Sequence, residues 1–129
     1  MTMKYSTALC NAQMDAITTA VGSAGKLRIY DGTRPAKGGT ATTLLAEFTL
    51  GSPFAPGTPT GVLSPTLPSA VTSSAAGTAT WYRVVTSGGT FVIDGDASTS
   101  AGDMQLNTTA IGSGVQVSVT SWTITNGMI

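Results

Sequence analysis

The chain has 129 residues, six basic and six acidic side chains, no histidine and one cysteine, so its formal net charge is zero. A neutral chain without a Lys/Arg cluster argues against nucleic acid as a partner, because such binding needs cations to displace counterions. It also argues against capture by an anionic membrane surface.

Residues 1–129 are expected to form a single domain, since domains cluster at about 100–150 residues. Charged residues make up 9% of the chain, against about 25% in ordinary soluble domains. Serine and threonine fill 36 positions and must cover much of the surface instead. Threonine keeps β-branched stiffness on the outward face of a strand and still meets water. The composition therefore predicts a mainly β chain with a neutral exterior. Little self-repulsion favours association, a pointer to assembly. Cys10 is alone, cannot form an internal disulfide, and reads as a small buried hydrophobe. Residues 6–19 are broken by Asn11, Gln13 and Asp15, which does not fit a signal peptide. No apolar run approaches the ~20 residues of a membrane helix. Synthesis in a cytoplasm, without export and without a membrane partner, is the expectation.

In chain order, Ser6 or Thr7 can cap a helix over about residues 6–21. Leu9, Ala12, Ala16 and Ala20, with Ile17 and Val21 beside them, form a stripe at helical spacing. Gly22 and Gly25 end it. Lys26-Leu-Arg-Ile-Tyr30 alternates as a short strand, and Asp31-Gly-Thr-Arg-Pro35 is a turn. Leu44, Ala46, Phe48 and Leu50 share one face of the next strand. Residues 51–68 hold five of the six prolines and form a long Pro-rich loop, with one edge segment near Val62-Leu63. Its length suits a contact arm or a plain surface loop.

The second half carries the strongest strand patterns. Trp81, Arg83 and Val85 alternate with Tyr82 and Val84, so this strand is expected to be central and covered on both sides. Ser87-Gly88-Gly89 is hairpin chemistry. Phe91 and Ile93 are expected on one face, Val92 on the other. Asp103-Met-Gln-Leu-Asn107 makes another short strand. Val115, Val117 and Val119 face one way and Trp122 and Ile124 the other, which points to a bulge or an edge-to-core crossover near Ser121. About seven strands result. They predict a jelly-roll-like antiparallel β-sandwich over about residues 26–125, with one N-terminal α-helix.

Chemistry-bearing groups are few. Ser23-Ala-Gly-Lys26 fits a Ser-x-x-Lys spacing but lacks companion motifs, and glycines 22 and 25 mark it as a helix end. Asp94-Gly-Asp96, with Asp103, could offer oxygen ligands to Ca²⁺, yet the calcium-loop pattern is not matched. Asp-Gly there reads as turn chemistry. Gly22-x-x-Gly25 and Gly112-x-Gly114 lack the context of phosphate-binding loops. Trp81 and Trp122 fit a core, with carbohydrate stacking as the alternative. Arg83 among apolar residues needs a carboxylate, and Asp94 or Asp103 are the candidates. No catalytic, cofactor-binding or metal residue is assigned, and no enzyme activity is expected.

Taken in order, Asn11, Gly25-Lys-Leu-Arg-Ile-Tyr-Asp-Gly-Thr-Arg-Pro35, Leu44-Leu-Ala46, Gly77-Thr-Ala-Thr-Trp-Tyr-Arg83, Gly89-Thr90, Asp94-Gly95, Asp103, Leu106-Asn107 and Gly114-Val-Gln-Val-Ser-Val119 make a pattern. It resembles a family of small virion proteins of tailed bacteriophages, similar to capsid decoration, or cement, proteins with a jelly-roll-like fold. The likeness spans residues 11–125. It implies a homo-oligomer, commonly a trimer, on the outer capsid surface, bridging subunits of the major capsid protein. It implies no catalytic residue and no cofactor. A tail-tip, fibre or head–tail joining protein is the alternative virion role, and a carbohydrate-binding module using Trp81, Tyr82 or Trp122 is a further one.

Overall fold

The computed structural model describes residues 3–56, 61–100 and 104–125. One helix, α1 (Thr7–Val21), precedes twelve short strands among the described residues. They are β1 (Lys26–Tyr30), β2 (Leu44–Thr49), β3 (Val62–Leu63), β4 (Val71–Thr72), β5 (Gly77–Thr78) and β6 (Trp81–Val85). β7 (Phe91–Ser98), β8 (Met104–Leu106), β9 (Ala110–Ile111), β10 (Gln116–Val117), β11 (Val119–Trp122) and β12 (Ile124–Thr125) follow. The protein is mainly β, a curled, sandwich-like arrangement with one N-terminal helix. A six-stranded sheet runs β11-β8-β7-β6-β1-β2, and three two-stranded ladders, β4 with β10, β3 with β12 and β5 with β9, close around it. Pairing is antiparallel except between β7 and β8, where Ala97 lies beside Met104 in parallel. The sequence suggested about seven strands. Short breaks at Ala79-Thr80, Ser118 and Thr123 divide its longer runs.

Ser6 caps α1 by accepting the Leu9 N–H at 3.1 Å, and Gly22 ends it at φ +71°. The expected stripe is not the packed one. Cys10, Met14 and Val21 are buried, with Ile17 packed beside them, while Leu9 is 45% exposed and Ala12, Ala16 and Ala20 face outward. Larger side chains reach the core and bury more apolar area than the alanines can. The Gly61 N–H donates to Asn11 Oδ1 at 2.7 Å, tying the helix to the Pro-rich segment.

Leu27 and Ile29 of β1, Phe48 of β2, and Tyr82 and Val84 of β6 form the centre of the core. Trp122 meets the rings of Phe54 and Tyr82 edge-on, at centroid distances of 5.2 and 5.6 Å, a favoured aromatic geometry. Bulges adjust three side-chain alternations. One between Ile29 and Tyr30 lets both Leu45 and Ala46 enter the core. One opposite Val84 and Val85 shifts the register so that Ile93 faces Val84 and Phe91 faces Val85. Phe91 and Ile93 therefore lie on opposite faces, not together as their spacing suggested. The third, between Val119 and Ser121, falls where the sequence pointed to a bulge or a crossover, but it brings Val119 and Trp122 into the same core. Val115 stays 39% exposed.

The Pro-rich segment is not a free arm where it is described. Phe54 and Leu63 have no exposed surface, Ala55 is buried, and β3 pairs with β12. Gly95 sits inside β7, not in a turn. A Cβ there would stand 2.5 Å from the Tyr82 ring, so the ring crosses the strand only where no side chain exists.

Candidate functional site

The outer face of the sheet, opposite the main core, gathers most of the residues that the sequence made conspicuous. Alternation sends Arg28 and Tyr30 from β1, Trp81 and Arg83 from β6, and Asp94 and Asp96 from β7 to this side. Tyr30 stacks on Trp81 with ring centroids 4.4 Å apart. The Arg83 guanidinium lies 5.2 Å from the Trp81 centroid and 5.4 Å from that of Phe91, within cation–π range of both.

Arg83 and Asp94 stand directly opposite in the β6–β7 register. Nε donates to Oδ1 at 2.6 Å and Nη2 to Oδ2 at 3.0 Å, a two-pronged pair. Their side chains are only 11% and 6% exposed. The Asp94 hydrogen bond, and then its charge, raise the Arg83 pKa above its ordinary value, against the opposing pull of burial. Of the two carboxylates proposed as partners, Asp94 is the one observed; Asp103 lies outside the described residues.

The cover over this face is the loop of residues 31–43. Its two ends are tied by the Asp31 N–H to the Thr43 carbonyl at 3.2 Å and the Thr43 N–H to Asp31 Oδ1 at 3.0 Å. Trp81 Nε1 donates to the Asp31 carbonyl and to Thr42 Oγ1, both at 3.0 Å. The Thr80 hydroxyl donates to the Gly32 carbonyl and that of Thr42 to the Asp31 carbonyl. At the far end Arg83 Nη2 donates to the Gly39 carbonyl at 2.9 Å, and the Gly38 N–H to Asp94 Oδ2 at 3.2 Å. Gly38 has φ +69° and would place a Cβ 3.3 Å from Phe91, so backbone lies directly on the ring. Two further ion pairs flank the site: Arg28–Glu47 at 2.7 Å, and the exposed Arg34–Asp96 at 3.4 Å. Glu47 raises the Arg28 pKa, chiefly through its hydrogen bond.

A cleft of about 600 Å³ opens between residues 34–37 of this loop and residues 91–94 of β7. Arg34 and Lys37 supply cations at its rim, and Phe91, Val92 and Ile93 supply an apolar wall. Both Asp94 oxygens already accept hydrogen bonds from within the fold.

The other sequence candidates are placed apart. Ser23 Oγ lies 3.1 Å from Ser52 Oγ, whereas Lys26 Nζ donates to Thr49 Oγ1 at 3.0 Å, so the Ser-x-x-Lys pair is not brought together. Asp96, on the same face as Asp94, is engaged by Arg34. Among the described residues no three His, Cys, Asp or Glu side chains cluster as a metal site would require. Cys10 is fully buried. Gly112 and Gly114 belong to a turn held by Ser73, whose hydroxyl donates to the Gly112 carbonyl at 2.5 Å. Trp81, Tyr82 and Trp122 are 0%, 1% and 3% exposed, so none offers a face for stacking a sugar. Sequence reasoning missed Thr42, Thr80 and Ser73, because a hydroxyl that will be used by the fold looks like any other in a Thr-rich chain.

No protein-family model matches the chain, and neither curated proteins nor solved structures yield a match.

Proposed function

We propose that this chain is a structural component of a tailed-bacteriophage virion, made in the host cytoplasm, that decorates the capsid and stabilises it by bridging subunits of the major capsid protein. It acts as a homo-oligomer, a trimer by analogy with the proteins it resembles. The observation that carries the reading is where the resemblance residues fall. Tyr30, Asp31, Trp81, Arg83 and Asp94 are joined in one internal network under the 31–43 loop. A pattern devoted to holding a scaffold, not to presenting reactive groups, supports a role exerted through surfaces. Zero net charge and 36 serines and threonines support a neutral exterior suited to dense packing on a shell.

The test is a reconstruction of the virion by electron microscopy, with copy number measured by quantitative mass spectrometry. Hundreds of copies on the shell, clustered at local threefold positions, are expected. A dozen or fewer copies, located at the neck or tail, would transfer the chain to the tail-tip, fibre or joining role instead.

A further inference from the structure

Among the described residues, strand β7 has one paired side and one without a strand partner along residues 91–96, and helix α1 also contacts the strand. Antiparallel β6 runs along it from Phe91 to Asp96, whereas β8 touches it only at Ala97 and Ser98. Among the described residues, no strand pairs with residues 91–96 on the side away from β6. The cleft lies along this stretch: four successive residues, 91–94, line it. Phe91 and Asp94 lie on the loop's side of the sheet, and the bulge across residues 91–93 lets Val92 and Ile93 border the same cleft, which runs along the length of β7 that has no second strand partner among the described residues. Phe91, Val92 and Ile93 are each half-buried, on both faces, as an edge leaves them. The opposite wall is the 34–37 segment. Its Lys37 makes no ion pair among the described residues, and Arg34 holds Asp96 only loosely at 3.4 Å.

We infer that this groove is a docking site for an extended, acidic segment of the shell subunit, which adds to β7 as a further strand and brings a carboxylate to Arg34 and Lys37. The inference rests on the capsid reading for the source of the segment. Strand addition uses the free main-chain groups of the edge for affinity and alternate side-chain pockets for selection. The apolar wall accepts one face of the incoming strand. Lys37, which makes no ion pair among the described residues, and Arg34, once it turns from the exposed Asp96, select an acidic segment, while Asp94 is already neutralised by Arg83.

Binding of the purified protein to shells assembled from the major capsid protein alone is compared for wild type and an Arg34→Glu/Lys37→Glu double variant. Both positions are exposed on the loop, and equal melting temperatures verify that the fold is kept. The double variant is expected to bind about tenfold more weakly, mainly through slower association. Lys37→Arg should bind as wild type does. Hydrogen exchange supplies a readout that charge alone would not move: amides within residues 92–96 gain protection in the complex. Equal binding by the double variant, or shells bound with those amides unprotected, overturns the groove while leaving the capsid role standing. The same protein is also incubated with overlapping short peptides covering the virion's structural proteins. If shells are not bound but an acidic peptide from another virion protein protects the edge, the groove stands and the capsid role falls. If neither shells nor peptides protect it, the groove is refuted.

Discussion

Removing the charge of Asp94 while keeping its shape tests the energetic centre of the outer face. In Asp94→Asn, Arg83 keeps its cation between Trp81 and Phe91 and its bond to the Gly39 carbonyl, but loses the carboxylate that holds Nε and Nη2. The pair is 11% and 6% exposed, so water can replace little of what is lost. Breaking a buried pair from one side costs about 3–5 kcal/mol. At roughly 4 °C per kcal/mol for a domain of this size, the melting temperature should fall by more than about ten degrees. Arg83→Met should cost a similar amount, because Asp94 is then left with only the Gly38 N–H. The double variant Arg83→Met/Asp94→Leu should recover most of the loss, since two apolar side chains of similar length leave no charge unpaired. Urea unfolding of wild type, Arg83→Met, Asp94→Leu and the Arg83→Met/Asp94→Leu variant closes a cycle that gives the coupling energy directly. The sign with pH follows from the arginine. Its folded pKa is raised, so its contribution is complete below the ordinary arginine value and disappears only as pH climbs through the raised one. The coupling measured at pH 7 should therefore persist at pH 9. A cost below about 1 kcal/mol for Asp94→Asn, the scale of an exposed pair, would refute the reasoning.

Gly95→Ala should destabilise by about 1–3 kcal/mol or more through overpacking, because its new methyl would meet the Tyr82 ring at 2.5 Å; chemical denaturation measures it, and a neutral result would mean that the ring can move aside. Phe54→Ala should cost about 3–5 kcal/mol and release the Pro-rich segment, seen as faster amide exchange at Thr66, whose N–H donates to the Phe54 carbonyl. Trp81→Phe should be more damaging than Trp122→Phe by about 1–2 kcal/mol, since Trp81 Nε1 makes two hydrogen bonds and Trp122 Nε1 makes none among the described residues. On the capsid proposal, raising salt from low ionic strength to about 1 M, where screening reaches only ~3 Å, should weaken binding by no more than the about tenfold assigned to Arg34 and Lys37 and leave the protein on purified particles; complete release by salt alone would show that surface charge, and not the strand edge, carries the docking.

Legibility in the sequence followed the range of the forces involved. The central strand at Trp81–Val85 was readable because both alternating sets are large, and the fully buried pattern agrees. The helix ends were readable because capping is local: Ser6 and Gly22 act within one turn. Which face of the helix packs was not, because that depends on distant partners. Alanine at 12, 16 and 20 looks like the packing stripe until Met14 and Cys10 are seen entering the core. Phe91 went to the unexpected face for a similar reason: a single bulge reverses the alternation, and nothing in Thr90-Phe-Val-Ile-Asp94 marks where it falls. The demand of Arg83 for a carboxylate was a matter of charge and could be read. That the loop of residues 31–43 would close over the pair was not.

That closure also explains why so few charges suffice. Among the described residues three ion pairs take six of the twelve charged side chains, and the most buried of them lies inside the outer face. Arg83 organises two β-strands and a covering loop at once, because its planar fork reaches Asp94 and the Gly39 carbonyl while its face rests on aromatic rings. Lysine could supply the charge but neither the fork nor the flat face. The loop so fixed carries Arg34 and Lys37 to the rim of the β7 cleft. On the docking proposal, a loop tied in this way needs less ordering when a partner strand binds, which favours affinity. The buried pair joins β7 to β6 and the covering loop, while the side of β7 away from β6 carries the groove proposed as a docking site.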